Sequence, residues 1–258
     1  MIYITGDTHG DFRRFSKKKM MKKSFELSEQ DYVIICGDFG LCWSKDGTFD
    51  YECKLFANKK YTILWVQGNH ENYDMIAEYP IEKWHGGTVR HIVRDKVILL
   101  ERGQVFEIEG HTFFTFGGAS SHDIQGGILD REDADFKKKK LKLKEKKLFY
   151  RINHESWWKE ELPNEAEMDE GRKNLAEHGY KVDYVITHCC TNRMQEKLNE
   201  EYKRELEPDV LTNYFQEIDE KLKYKHWYCG HYHMDLSFDK KHTILYHEII
   251  ELGKVMEE

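Results

Sequence analysis

The sequence predicts an α/β fold in which a parallel sheet, flanked by helices, packs against a second sheet to give a layered sandwich. Three observations lead there. Short apolar runs of β-branched and aromatic residues recur along the 258 residues, each closed by a cluster of Gly, Asp, Asn or His. The first three clusters are evenly spaced: Asp7, Asp38 and Asn69 follow one another at 31 residues, the length of one strand–helix–strand unit. From Thr88 to Phe116 the pattern turns to short strands joined by tight turns, as in a mixed or antiparallel sheet.

In chain order, Ile2 to Thr5 reads as a buried strand running into Gly6-Asp7-Thr8-His9-Gly10, and Phe12 to Lys23 suits a helix. Tyr32 to Cys36 is the second strand, before Gly37-Asp38-Phe39-Gly40, and Phe49 to Lys60 the second helix. Thr62 to Val66 is the third strand, before Gln67-Gly68-Asn69-His70-Glu71. Four short strands follow, Thr88 to Val93, Val97 to Leu100, Gln104 to Ile108 and Thr112 to Phe116, with Glu109-Gly110 as a hairpin turn between the last two. These four are expected to form the second sheet. Residues from about 130 to 165 read as an insertion, with acids first and then eight Lys between Lys137 and Lys147. Glu165 to His178 and Pro208 to Lys223 suit helices; Tyr184 to Thr187 is a strand before His188, and Trp227 to Cys229 one before Gly230-His231-Tyr232-His233. Pro occurs at only three positions and no Gly/Ser-rich stretch marks a linker, so one domain spanning 1–258 is expected.

Composition narrows the function classes. Hydrophobic residues make up 40% and aromatic residues 14%, enough for a substantial core. The formal net charge of -7 lends no support to sequence-independent nucleic-acid binding, which draws on a basic excess. The six Cys show no C-x-x-C pairing, no signal pattern opens the chain, and no apolar run reaches the ~20 residues needed to cross a bilayer. A cytoplasmic protein with reduced thiols and no membrane association is expected.

Repeated strand–helix units align the polar ends of their strands along one sheet edge. The five clusters then bring together an Asp-x-His, a Gly-Asp, a Gly-Asn-His-Glu, a lone His and a Gly-His-x-His. Two divalent ions about 3.5–4 Å apart need a carboxylate between them, with oxygen and imidazole donors on each side. Asp38 is placed to bridge, Asp7 and His9 can reach one ion together, and His231 and His233 can each face a different one. A single His after a strand is more often a satisfied polar residue than a ligand, and a Gly-Asp or Gly-Asn pair more often a turn. Those readings do not explain why every cluster closes an apolar run.

In order and register from Gly6 to His233, these clusters resemble the calcineurin-like metallophosphoesterases at each signature position of that family. The resemblance implies a four-layer α/β/β/α sandwich with a dimetal site at the carboxyl ends of the strands. It implies that one ion is held by Asp7, His9, Asp38 and His233, and the other by Asp38, Asn69, His188 and His231. The catalytic residues it implies are His70, which acts on the leaving oxygen without binding metal, Asn69 and Asp38. The implied reaction is hydrolysis of a phosphate ester by a metal-bridging hydroxide, with two divalent ions (Mn, Fe or Zn) as cofactors.

The substrate is less sharply drawn. The Ser/Thr protein phosphatases and diadenosine tetraphosphate hydrolases carry Gly-Asp-x-x-Asp-Arg-Gly at the second cluster, and Gly37-Asp38-Phe39-Gly40-Leu41-Cys42-Trp43 departs from it. The phosphate-gripping Arg of that branch is missing here. Gly230-His231-Tyr232-His233 is closer to small bacterial phosphodiesterases. The expected substrate is therefore a small phosphate ester or a nucleotide, with a phosphodiesterase or nucleotide phosphatase activity. A nuclease acting on single-stranded nucleic acid, a Ser/Thr protein phosphatase and a non-catalytic scaffold of the same fold are the alternatives. Three features stand outside the pattern. The Lys137–Lys147 run is either a solvated helix face or a lid over anionic substrate. Cys189-Cys190, beside His188, read as packing residues rather than as thiolate ligands or a redox control. The Gly-rich segment from Phe116 to Asp123 reads equally as a turn or a substrate loop, with His122 and Asp123 as its notable side chains. The sequence does not specify an oligomeric state.

Overall fold

The computed structural model describes residues 1–22, 25, 27–254 and 256. Its strands in chain order are β1 (Ile2–Thr5), β2 (Tyr32–Ile35), β3 (Thr62–Trp65), β4 (Glu82–Trp84), β5 (Gly87–Val93), β6 (Val97–Leu100), β7 (Gln104–Ile108) and β8 (His111–Phe116). There follow β9 (Ile128–Leu129), β10 (Arg151–Ile152), β11 (Tyr184–Thr187), β12 (His226–Cys229), β13 (Leu236–Ser237), β14 (His242–Ile244) and β15 (Ile249–Glu251). The helices are α1 (Lys17–Lys22), α2 (Gly47–Ala57), α3 (Tyr73–Ala77), α4 (Phe136–Glu145), α5 (Glu165–Glu177), α6 (Asn192–Tyr202) and α7 (Val210–Lys221).

Two large sheets result, one in the order β15-β1-β2-β3-β6-β5-β4 and the other in the order β13-β14-β12-β11-β8-β7. β1, β2, β3 and β6 run parallel, as do β8, β11, β12 and β14, so each sheet has a parallel centre with antiparallel edges.

The central strands bury both faces, which is why they read as unbroken apolar runs rather than alternating ones. Ile4, Ile34 and Leu64 point between the sheets and meet Phe106, Phe113, Ile186 and Tyr228 of the other sheet. Their neighbours Val33, Ile35, Ile63 and Trp65 point outward onto Phe15, Phe56, Met75 and Ile76. On the opposite outer face, Phe114, Val185 and Trp227 pack on Leu175, Met194, Leu198, Leu211 and Phe215 of α5, α6 and α7. The architecture is the four-layer α/β/β/α sandwich.

The structure corrects the sequence reading of the second sheet. The two strands Thr88 to Val93 and Val97 to Leu100 do not enter the second sheet: β6 adds to β3 in parallel and β5 folds back on β6. Of the four, only β7 and β8 belong to the second sheet, joined at Glu109 (φ 49°) and Gly110 (φ 74°), the left-handed pair a two-residue turn requires. A short strand's periodicity cannot distinguish one partner sheet from another, because that choice depends on the strands already in place.

Helix ends also moved. The expected Phe12 to Lys23 helix is a 3-10 turn over Phe12–Phe15 followed by α1, and Lys23 lies outside the described residues. Helix α2 starts earlier than expected because Asp46 caps it, accepting from the amides of Thr48 and Phe49. Asn164 and Glu167 form a capping box on α5, and Asp209 and Thr212 one on α7.

Candidate metal centre

Register places the site. Thr5, Ile35 and Trp65 pair across β1, β2 and β3, so Asp7, Asp38 and Asn69 emerge beside one another past the strand ends. In the second sheet Thr187 pairs with Phe116 and Ile186 with Tyr228, so His188, the loop after β8 and the Gly230–His233 turn emerge at the same edge of the sandwich.

The loops are bonded to each other. The amides of Thr8 and His9 both donate to the Asp38 carbonyl, at 3.0 and 2.9 Å, and the Gly10 amide donates to Phe39. The Arg14 guanidinium spans the carbonyls of Asp7 and Gly6 and the Thr5 hydroxyl. These ties hold strained backbone. His9, Asp38, His231 and His233 have φ of 46°, 47°, 70° and 52°. Each such residue costs about 1–3 kcal/mol, and persists only where its surroundings over-determine it. Four of the seven ligand candidates are so placed.

Two glycines allow close approach. A Cβ on Gly68 would fall 2.0 Å from Asp38 Oδ1, and one on Gly230 would fall 2.2 Å from Asp7 Oδ1.

The candidate ligands fall into two tight groups sharing Asp7: Asp7, His9 and His233, and Asp7, Asp38 and His188. In the first, His9 Nε2 lies 2.9 Å from His233 Nε2, and Asp7 Oδ2 is 3.3 Å from His233 and 3.7 Å from His9. In the second, His188 Nε2 lies 3.4 Å from Asp38 Oδ1 and 3.3 Å from Asn69 Oδ1. Asp38 turns one oxygen to each side, since its Oδ2 is 3.8 Å from His9 Nδ1. His231 stands apart from both groups. Its amide donates to Asp7 and its ring packs on His188, but its Nε2 lies 2.9 Å from that of His122.

The residues present fit a pair of divalent cations. The His188 ring, at Nδ1, meets the Cys36 carbonyl at 2.7 Å, which leaves Nε2 for the ion. The Asn69 amide nitrogen donates to Ser121 Oγ, turning its oxygen to the same point. An imidazole nitrogen, an amide oxygen and a carboxylate oxygen therefore converge there. Asp7 and Asp38 are buried, and desolvating each carboxylate costs several kcal/mol unless positive charge compensates it. Ionisation reflects that crowding. Burial would raise the Asp38 carboxyl, but His188, His70 and His9 outweigh it and hold it far below the usual range. Burial would lower His188, yet Asp38, Asp7 and the Cys36 carbonyl push it up to about 9. Burial, with His188 and His122, pushes His231 well down.

His70 is positioned differently. Its amide donates to Asp38 Oδ1 at 2.8 Å, and its ring lies edge-on to His9 at 5.1 Å between centroids. It lines the clefts on both sides of the centre. The buried Glu71 accepts from the Phe39 amide, bracing the Asp38 loop from beneath.

Several residues were not legible as site components. The Phe116–Asp123 segment does reach the centre, His122 through His231 and Asp123 through Arg151. Arg151, on the two-residue strand β10, comes within 3.4 Å of His70 Nε2. Glu161 accepts from both the amide and the hydroxyl of Ser121, and so supports Asn69. None of these carries a local motif; His122 and Asp123, following a strand in a Gly-rich segment, gave the only signal. Cys189 and Cys190 are buried in the outer core, where burial raises both thiols. No helix among the described residues is long and apolar enough to cross a membrane.

No curated protein matches the chain in sequence. The family model described as calcineurin-like phosphoesterase matches residues 1–235, a span that contains every cluster from Asp7 to His233. The chain belongs to the calcineurin-like phosphoesterase family.

Proposed function

We propose that the protein is a metal-dependent phosphodiesterase or nucleotide phosphatase acting on small substrates. Its family provides the general chemistry, hydrolysis of phosphate esters with divalent metal. The observation that carries the finer reading is that His70 lines two clefts, the two lobes of the site. One lobe, about 320 Å³, is lined by Asp38, Asn69, His122, Arg204 and His233. The other, about 340 Å³, is lined by Gly40, Trp43, Asp46, Phe49 and Glu52. A phosphoryl group in the first lobe would direct one substituent past His70 into the second. That volume is at the small end of ligand pockets and suits one nucleoside or aryl group. Trp43 offers a face for stacking, while Asp46 and Glu52 oppose further phosphates entering there.

Asp7, His9, Asp38 and His233 would hold one ion, and Asp38, Asn69, His188 and His231 the other; Mn, Fe or Zn suits this donor set. Two such ions, when bound, supply Lewis-acid charge to the phosphoryl oxygens and make water acidic enough to attack near neutral pH. His70, held through its amide on Asp38, donates a proton to the departing oxygen. Asn69, fixed by Ser121, orients its oxygen toward the second group of ligands. The exposed lysines of α4 favour a nuclease as the second reading.

The test is a metal-supplemented screen of aryl phosphodiesters, phosphomonoesters, cyclic nucleotides, phosphopeptides and oligonucleotides. Small diesters or nucleotides should give the highest kcat/KM. Preferential, strongly salt-dependent cleavage of oligonucleotides would replace this reading by the nuclease. No turnover of any substrate by metal-loaded protein would leave only a scaffold.

A further inference from the structure

The second cluster, from Gly37 to Trp43, holds no arginine, yet a guanidinium reaches the centre from elsewhere. Arg151 lies on β10, inside the insertion, and its side chain is 13% exposed. Its Nε donates to Asp123 Oδ1 at 2.8 Å and its Nη2 meets Asp123 Oδ2 at 2.6 Å, a two-point grip that fixes the plane of the group. Nη1 donates to the Ser156 carbonyl at 3.3 Å. Nη2 carries a second hydrogen, and lies 3.4 Å from His70 Nε2. Both Asp123 and His70 line the lobe that holds Asp38 and Asn69.

The insertion is itself anchored. The rings of His154 and Trp158 both meet Asp74 Oδ2, at 2.8 and 2.7 Å, and Glu161 holds Ser121. Arg151 is therefore set beside two residues that line the cleft, His70 and Asp123, by a segment bonded to the first sheet's side at Asp74 and to the second sheet's loop at Ser121. A guanidinium already ordered by its own carboxylate loses little freedom when it meets an anion, and its planar fork matches phosphoryl oxygens.

We propose that Arg151 is a further catalytic residue that grips the phosphoryl oxygens of substrate and of phosphate product, with Asp123 as its positioning residue. The inference rests on the phosphoester hydrolase reading. It assigns the insertion a role through one partly buried arginine, whatever its lysines do.

The test uses Mn-loaded full-length protein, an aryl phosphodiester, and inorganic phosphate as a binding probe followed by calorimetry. Arg151→Ala should keep its metal, bind phosphate at least about tenfold more weakly, and lose on the order of 10²-fold in kcat/KM. Added guanidinium ion should restore part of both. Asp123→Asn should lose less, and should add little to Arg151→Ala, because the two act as a unit. If Arg151→Ala does not fold, Arg151→Gln, which can still hydrogen-bond Asp123, takes its place with the same expectations. Wild-type phosphate affinity in these variants overturns the proposal, even if activity falls. Hydrolysis by wild type with unchanged kinetics in Arg151→Ala overturns it while leaving the hydrolase reading standing. Arg151-dependent phosphate binding without any hydrolysis would overturn the hydrolase reading, and with it the catalytic role, and leave Arg151 as a phosphate-binding residue.

Discussion

The Nε2 atoms of His9 and His233 lie 2.9 Å apart although 224 residues separate them in sequence. Both face the same carboxylate oxygen, Asp7 Oδ2, and both residues have left-handed backbone. Three strained or buried groups aimed at one point are costly unless something positive sits among them. The expected consequences can each be measured.

Purified protein should carry up to two transition-metal ions per chain. Asp38 turns an oxygen toward each ligand group, so Asp38→Ala should lose most of both. Elemental analysis of wild type and variant checks this, and unchanged metal in Asp38→Ala would rule out the bridging assignment.

His70 lines both lobes without joining either tight ligand group. His70→Ala should therefore keep its metal and lose roughly 10²–10⁴-fold in turnover. The loss should shrink for a nitrophenolate leaving group, which scarcely needs a proton. Equal losses with good and poor leaving groups would count against the acid role, and metal loss would make His70 a ligand.

Gly68→Ala tests the close packing around the carboxylate. The added Cβ would lie 2.0 Å from Asp38 Oδ1 and 2.5 Å from the Asp38 amide nitrogen. The carboxylate oxygen already accepts from the His70 amide at 2.8 Å, so the loop must shift, at about 1–3 kcal/mol for a forced overpacking. A lower Tm and reduced metal content are expected together. Wild-type values of both would show that the loop yields freely.

His226, buried on β12, stacks on Tyr228 and meets the Thr243 hydroxyl at 2.8 Å. Burial, then the neighbouring His242, lowers its pKa to about 4, against roughly 6.5 in an unfolded chain. Between those values the unfolded state binds more protons, so this group makes stability fall as pH falls through that window. His226→Gln should flatten the decline in Tm between pH 6.5 and 4.5 relative to wild type. Parallel curves would mean that His226 does not titrate as described.

The sequence alone determined the positions of the central strands and the polar clusters that close them. Runs buried on both faces, as in β1, β2 and β3, carry a local signal that needs no knowledge of partners. The in-register pairing of those strands then follows from repeated units of one length, and brings Asp7, Asp38 and Asn69 together. The tertiary structure decided what long-range contact alone can decide. It sent β5 and β6 to the first sheet although their pattern matches that of β7 and β8. It paired the His231 ring nitrogen with His122 rather than with either tight group of ligand candidates. It also set Arg151, from a two-residue strand with no motif around it, beside His70 through Asp123. Each of these depends on side chains dozens of residues apart meeting in the folded chain, and periodicity, which records only which face of an element is buried, holds no trace of them.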